Sequence, residues 1–366
     1  MGETPQLFPV LWGLWAFYLT RAELQTAREL GEQCLTLAES VHDPTFFLGA
    51  QIALGHTSLF LGEFASSHAY EERASALYDP QQHRSLAFLY GADPGVGCFS
   101  YAALALWLLG YPDQALKKIH QAFILTQEPS HPSHSLAFAL ATAVWFHQLR
   151  GERQTVQEQA EAVIALSGEQ EFPVWLAWGA MFRGWALAEQ GQGEEGIAQI
   201  RQGLAAYQAL GSELIRPYCL ALLAEAHGKV GQAEEGLSTL AEALARVDKT
   251  GERLYEAELY RLKGTLTLQK LSVASYQLPV TSTQHPAPNT QTEAEACFHK
   301  AIEIARQQQA KSLELRAVMS LSRLWQQQDK KKEAHELLAE IYGWFTEGFD
   351  TVDLKEAKAL LEELNH

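Results

Sequence analysis

The sequence predicts an all-α chain, a right-handed solenoid of about eight helix pairs with a period near 40 residues and a C-terminal capping helix. Three observations carry that reading. First, one pattern recurs along the chain: a helical segment, a short turn that often holds Gly, and a second helix with small residues on one face. It is visible in LFLGEFASSHAY, LWLLGYPDQALKKI, HQLRGERQTVQEQA, LAEQGQGEEGIAQI and HGKVGQAEEGLSTL. Second, two columns of small residues align on the turn. Seven residues before it stand Trp15, Gly55, Ala103, Val144, Gly184, Ala224, Gly264 and Ser322, at intervals of 40, 48, 41, 40, 40, 40 and 58. Five residues after it stand Ala27, Ser67, Ala115, Val156, Gly196, Gly236, Ala294 and Ala334, with an insertion allowed in the seventh repeat. Two helices of a pair approach closely only where side chains at the crossing are small. Third, four residues further on stand Gly31, Glu71, Ile119, Ala160, Ile200, Leu240, Phe298 and Leu338, which continue a mostly apolar helical stripe.

The period places the elements. Helices are expected over 5–20 and 22–40, 44–61 and 64–78, 96–109 and 112–127, 133–149 and 153–167, 173–190 and 193–209, 213–230 and 233–248, 252–270 and 292–308, 312–328 and 331–346. The segment 352–364 (VDLKEAKALLEEL) is amphipathic and reads as the polar-faced cap that a solenoid needs at an open end. The whole of 1–366 then forms a single repeat array. Such an array can exceed ordinary domain length, because each repeat packs only on its neighbours. The apolar run Leu7–Leu19 is too short to cross a bilayer and lacks a basic segment before it, so it reads as a buried first helix.

Two intervals break the period. The interval of 58 accommodates residues 272–291, rich in Ser, Thr, Pro and Gln, which read as an exposed flexible loop in the seventh repeat. The interval of 48 accommodates residues 78–97 (YDPQQHRSLAFLYGADPGVG) between repeats two and three. This insert mixes aromatic, apolar and charged residues with turn-forming Pro and Gly, so it reads as ordered. Its Asp79, His83, Arg84, Tyr90 and Asp93 are candidate contact residues. The alternative for them is structural: Asp79 as a turn cap and an Arg84–Asp93 ion pair that locks the insert.

Composition narrows the partners. Hydrophobic residues make up 47% of the chain and charged residues 20%, enough apolar material for folding. The net charge of −16 repels phosphate backbones and disfavours nucleic acid and anionic membranes. Cys34, Cys98, Cys219 and Cys297 are too scattered for a zinc site or a disulfide framework, and fit a reducing cytoplasm. Gly191, Gly193 and Gly196 spell GxGxxG but fall on a helix–helix turn rather than after a strand. His131 and His134 stand among prolines at a helix start, where capping competes with metal binding as their role. No motif of a nucleophile with its base is present, so no catalytic residue, metal or cofactor is expected.

The candidate binding residues lie on the first helix of each pair. In the repeat register, Trp107, Trp145, Met181, Trp185, Arg261 and Arg323 fall on the inner, concave face. Trp, Met and Arg are the types that anchor partners at interfaces. They describe an aromatic groove for a peptide or helix, with a cationic end for a carboxylate. The alternative is that a tightly wound solenoid buries the tryptophans against neighbouring repeats.

The helix-turn-helix unit resembles the tetratricopeptide repeat, with a longer period than the usual ~34 residues. The segments YDPQQHRSLAFLYGADPGVGCFSYAALALWLLGYPDQAL, LAWGAMFRGWALAEQGQGEEGIAQIRQGLAA, YEAELYRLKGTL and AKSLELRAVMSLSRLWQQQ carry a more specific likeness. Together they resemble the C-terminal tetratricopeptide region of large bacterial multidomain regulators. In those proteins a class III adenylate/guanylate cyclase or a kinase domain precedes a signal-transduction ATPase, and the repeats follow. The resemblance implies a sensor or scaffold that controls such an ATPase or cyclase in cis, and a chain that is a part of a larger protein. It transfers no activity and no ligand residues. The expected function is therefore a non-catalytic, cytoplasmic regulatory module that binds a protein or peptide. The alternatives are a scaffold that self-associates as a homo-oligomer, and a small-molecule sensor.

Overall fold

The computed structural model describes residues 6–128, 132–276 and 288–365, and within them every regular element is helical. α1 (Leu7–Thr20) and α2 (Leu24–Val41) form the first pair, α3 (Pro44–Phe60) and α4 (Phe64–Leu77) the second. The insert then folds as α5 (Pro80–His83), a single 3-10 turn (Arg84–Leu86) and α6 (Ala87–Tyr90). The array resumes with α7 (Pro94–Leu109) and α8 (Pro112–Thr126), α9 (Ser133–Leu149) and α10 (Arg153–Glu169), and α11 (Pro173–Glu189) and α12 (Gly193–Ala209). It continues with α13 (Arg216–Lys229) and α14 (Ala233–Thr250), α15 (Glu256–Tyr276) and α16 (Pro288–Gln307), and α17 (Lys311–Gln327) and α18 (Lys331–Tyr342). The cap, α19 (Val352–Leu364), buries Leu354, Ala357, Leu360 and Leu364.

The aligned turn residue has one conformation throughout. Ala22, Gly62, Gly110, Gly151, Gly191, Gly231 and Asp329 all have positive φ, between +57° and +94°. A left-handed residue ends the first helix of a pair and turns the chain back, and glycine takes it without a Cβ clash. In the seventh pair the corresponding position is Leu271, and there α15 runs on to Tyr276 instead of turning. The small columns also have their expected physical cause. A Cβ on Gly184 would lie 2.7 Å from the carbonyl oxygen of Gly196, and one on Gly196 would lie 2.5 Å from that of Gly184. The GxGxxG string is thus the α11–α12 crossing.

Several helix boundaries differ from expectation, and the cause is long-range. The inner helices α1, α3 and α9 end on carbonyls that have no partner within their own helix, and in α7 the Trp107 carbonyl, bonded to the Gly110 N–H (3.0 Å), takes a second donor. These are capped by the chain one superhelical turn later. The Thr20 carbonyl accepts from the N–H groups of Glu213 (2.9 Å) and Leu214 (3.1 Å), and the Phe60 carbonyl from that of Arg253 (2.7 Å). The Trp107 carbonyl accepts from the Ser312 hydroxyl, and the Leu149 carbonyl from the Arg316 guanidinium, both at 2.5 Å. Pair one therefore meets pair six, pair two meets seven, and pair three meets eight. α13 and α15 start later than expected, at Arg216 and Glu256, because the residues before them are drawn onto the earlier turn. The expected loop 272–291 shrinks at both ends: α15 and α16 reach Tyr276 and Pro288, and 277–287 lie outside the described residues.

Arg316 secures the last of these contacts. Its Nε bonds Asp353 at the start of α19 at 2.8 Å, and its guanidinium lies 5.0 Å from the Trp107 ring centroid. Replacing Arg316 by Ala strands both Asp353 and the Leu149 carbonyl in a poorly hydrated contact. It should cost about 3 kcal/mol in denaturant unfolding. The radius of gyration of the folded variant should rise in X-ray scattering as the turns separate.

Candidate functional site

Closure of the superhelix turns the concave surface into an interior, in which the described residues line two sizeable cavities. The first cavity has a volume of about 290 Å³. α1 contributes Trp12, Trp15 and Leu19; α3 contributes Ile52, His56 and Phe60; α7 contributes Gly97 and Tyr101. α9 adds His134, Phe138 and Trp145, and α11 adds Trp175 and Trp178. Residues 90–94 of the insert form one wall, and Leu214 and Ile215 arrive from the next superhelical turn.

Three indole N–H groups of this wall are committed to the protein. Trp15 Nε1 donates to Thr57 Oγ1 (3.0 Å), Trp178 Nε1 to the Ala141 carbonyl (3.1 Å), and Trp175 Nε1 to His134 Nε2 (3.0 Å). The rest of the wall is mostly ring, with the Tyr90 hydroxyl, Trp145 Nε1, His56 Nε2 and His134 Nδ1 buried and without a hydrogen-bond partner. Tyr90 packs on Trp12 with centroids 4.3 Å apart, and His56 stacks on Tyr101 at 3.6 Å. Burial pushes His56 down to about 3 and lowers His134, so both imidazoles are neutral at pH 7. No Lys or Arg lines the cavity. Its one carboxylate, Asp93, accepts from the Gly95 N–H (2.8 Å) and from the Tyr78 hydroxyl (3.1 Å).

Behind His56 lies a second anomaly. Glu71 on α4 is fully buried, and neither carboxylate oxygen has a hydrogen-bond partner. Its Oε1 is 3.6 Å from His56 Nε2. Gly55 makes room for it, since a Cβ there would meet Glu71 Oε1 at 2.2 Å. Burial, and then the neighbouring Glu72, raise the Glu71 carboxyl well above the usual carboxylate range. Glu71 was legible as an exception: it is the one charged residue in an otherwise apolar or small repeat column. Its position against His56 was not.

Gly97 is a further exception. The other buried helical glycines yield to close neighbours, such as Met181 Cγ at 2.6 Å from a Cβ on Gly203. At Gly97 the nearest atom would be His56 Cε1 at 3.8 Å, so packing does not demand a glycine. A glycine inside a helix costs roughly 0.5–1 kcal/mol relative to alanine. The missing side chain instead widens the cavity.

The second cavity, about 340 Å³, lies between α9–α11 and α13–α19 and is charged. Arg261 bonds Glu258 (2.7 Å), Arg323 bonds Glu356 (2.8 Å), Lys229 bonds Glu189 (3.0 Å), and Trp185 Nε1 donates to Glu225 (2.9 Å). Burial raises the Glu225 carboxyl.

The sequence-derived residues divide among these places. Trp145 borders the aromatic cavity, and Trp185, Arg261 and Arg323 border the charged one. Trp107 and Met181, 2% and 0% exposed, are packed core. Trp145 and Trp185, at 2% and 5%, are buried walls and not residues of an open groove. The expected cationic end is neutralised, since Arg261, Arg316 and Arg323 each hold a carboxylate. Within the insert, Asp79 caps α5 through the Gln81 N–H (2.9 Å), and His83 Nδ1 accepts from the Asp79 N–H (2.9 Å). Arg84 pairs with Glu128 across to α8 and not with Asp93, which is already occupied as the cap of α7. Tyr90 and Asp93 reach the aromatic cavity, whereas Asp79, His83 and Arg84 do not line it. Trp12, Trp15, Tyr101, Phe138, Trp175 and Trp178 join the site without having been among those candidates. His131 lies outside the described residues. Among the described residues no group of three or more His, Cys, Asp or Glu side chains could hold a metal ion. Nor, among the described residues, is any single helix long and apolar enough to cross a membrane.

No family model matches the chain. It is 23% identical over 267 residues to an uncharacterized protein of Rhizobium meliloti. That match takes in 73% of this chain and 26% of the relative, so the chain spans about a quarter of the relative's length. Among solved structures, a Rap protein complexed with competence and sporulation factor superposes with a TM-score of 0.57 at 9% identity, covering 98% of both chains. NprR in complex with its cognate peptide NprX gives 0.56 at 10% identity, covering 100% of this chain and 98% of that one. Aspartyl phosphate phosphatase F from Bacillus subtilis gives 0.50 at 10% identity, covering 93% and 94%. The likeness is one of fold. The chain is an all-helical repeat solenoid of the kind these proteins share.

The site makes a pH prediction. Because the folded-state Glu71 is held above its unfolded value, it stays protonated where the unfolded chain has already ionised. Its contribution is intact below about 4.5 and is lost as pH rises above that value. Glu71→Gln removes this loss. The variant should unfold at higher denaturant than wild type at pH 8, and the gap should close on titration to pH 4. A constant gap would mean that the fold does not raise the Glu71 carboxyl above its unfolded value.

Proposed function

We propose that this chain is the ligand-binding module of a regulatory protein, and that its superhelical interior takes a peptide. The observation that carries the reading is the aromatic cavity, whose walls come from two successive superhelical turns. An apolar side chain lodged there would touch α1, α3, α7, α9 and α11 on one turn and Leu214 and Ile215 on the next. Occupancy would then favour one spacing of the turns over another, and a ligand shifts an equilibrium by its differential affinity for the two states. Two of the similar solved folds were determined with a bound peptide or signalling factor, which supports a peptide ligand. The relative's greater length supports a module acting on a larger polypeptide, where the ATPase or cyclase implied by the resemblance would be the unit controlled in cis. A cytoplasmic setting and the absence of catalysis belong to the same proposal.

Panning a random peptide library against the immobilised chain tests it. Enriched peptides should raise the melting temperature of wild type. They should bind at least tenfold more weakly to Gly97→Leu and to Ala16→Phe, which fill the cavity from opposite walls, provided circular dichroism shows both folded. Enrichment no greater than on bare support sinks the proposal.

A specific surface favours the second reading, a self-associating scaffold. Leu7, Val10, Leu14 and Phe17 form an outward stripe on α1 and are 42–55% exposed. If the stripe joins two copies, sedimentation velocity will show a concentration-dependent dimer that Leu14→Asp abolishes. A monomer at all concentrations removes this reading.

A further inference from the structure

We propose that the aromatic cavity is a specific site for a neutral, planar ring of about two fused rings in size, and that Gly97 is the residue that sets that size. This rests on the interior being the ligand site, but not on the ligand being a peptide.

Size comes first. An apolar cavity of roughly 150 Å³ is sufficient to hold benzene. This one, at about 290 Å³, is close to twice that volume. Wall chemistry gives the shape. The Trp12–Tyr90, His56–Tyr101 and Trp145–Trp178 contacts hold their rings 3.6–5.6 Å apart by centroid, in stacked, tilted and edge-to-face arrangements. Another ring fits such a wall through the same offset and edge-to-face geometries, which add to the burial of its area.

Charge then excludes the other classes. An anion would meet no Lys or Arg, and the only carboxylate in the wall already accepts two hydrogen bonds. A charged group entering without a partner is expelled by desolvation. Three indole N–H groups of the wall already donate to protein acceptors, whereas the Tyr90 hydroxyl, Trp145 Nε1, His56 Nε2 and His134 Nδ1 are buried without a hydrogen-bond partner, so the ring that fits can carry a polar edge but not a charge. A quaternary ammonium is the one charged class that ring faces alone can attract. It is compact rather than planar, and no free carboxylate stands in the wall to accompany it.

Gly97 is the independent observation. It sits within α7, buried, at a point where protein packing would accept a methyl group, whose nearest neighbour would be His56 Cε1 in ordinary contact at 3.8 Å. Neither a turn nor a helix crossing explains it. Space reserved for a ligand does.

The same neutral ring can be presented as a side chain on a peptide or as a free small molecule, and one titration separates these. Fluoroindole is followed by fluorine NMR on the full chain, beside N-acetyltryptophan amide and tetramethylammonium. Fluoroindole should bind saturably, be displaced by N-acetyltryptophan amide, and resist tetramethylammonium. Gly97→Leu and Ala16→Phe should each weaken it at least tenfold with melting temperatures no lower than wild type. Tenfold tighter binding of the amide over the free ring assigns the ring to a peptide side chain, and equal or weaker binding assigns it to a free small molecule. No saturable fluoroindole binding overturns the inference, as does displacement by tetramethylammonium. A library peptide that binds tightly, ignores Gly97→Leu and is not displaced by fluoroindole would overturn it while leaving the peptide-binding proposal standing.

Discussion

The constraint on which the rest of this molecule depends is the capping of inner-helix carbonyls by the next superhelical turn. A helix end leaves carbonyl groups unpaired, and most helices solve this locally. Here the turn glycines serve the local geometry, while Thr20, Phe60 and Trp107 find donors five pairs further along the chain and Leu149 finds one four pairs along. The repeated offset fixes the curvature. It also brings Gly62 against Gln308 and Gly110 against Lys311, close approaches that no contact between adjacent repeats requires.

Once the turns touch, the concave face is no longer a groove. Residues that would be open anchors in a shallow array become walls or core, which is the fate of Trp107, Trp145, Met181 and Trp185. The space that remains is small and sharply divided in character. Toward the N-terminal half it is bounded by rings and neutral imidazoles, and toward the C-terminal half by paired Arg and Glu side chains. The charges of the second region are paired within the protein, although Glu258 Oε2 and Arg261 Nε are buried without a hydrogen-bond partner. The aromatic region offers unpartnered surface.

The exceptions to the repeat were more informative than the repeat. Glu71 breaks an apolar column, and the structure sets it unpaired behind His56 at the cavity wall. Gly97 is small where no neighbour requires it. The insert breaks the spacing, and its Tyr90 completes the ring wall while Asp93 caps α7. A periodic fold constrains most positions through identical contacts with neighbouring repeats. A residue that departs from its column without loss of order is therefore held by something other than the repeat.

Local physics determined what the sequence alone could deliver. The turn column, the two small columns and the apolar stripe follow from contacts within a pair and between adjacent pairs. They suffice to place the helices, the α11–α12 crossing and the cap. Asp79 as a cap was equally local. The ion pair of Arg84 was misjudged because Glu128, its partner, is 44 residues away and enters only through the α8 packing. The interior was beyond reach for the same reason. Trp15 and Ile215 share a cavity because of a bond between Thr20 and Glu213, and no pattern of period 40 encodes a contact at five times that separation. The sequence put aromatic residues on the inner helices; which of them face one another across the cavity was decided by the superhelical pitch.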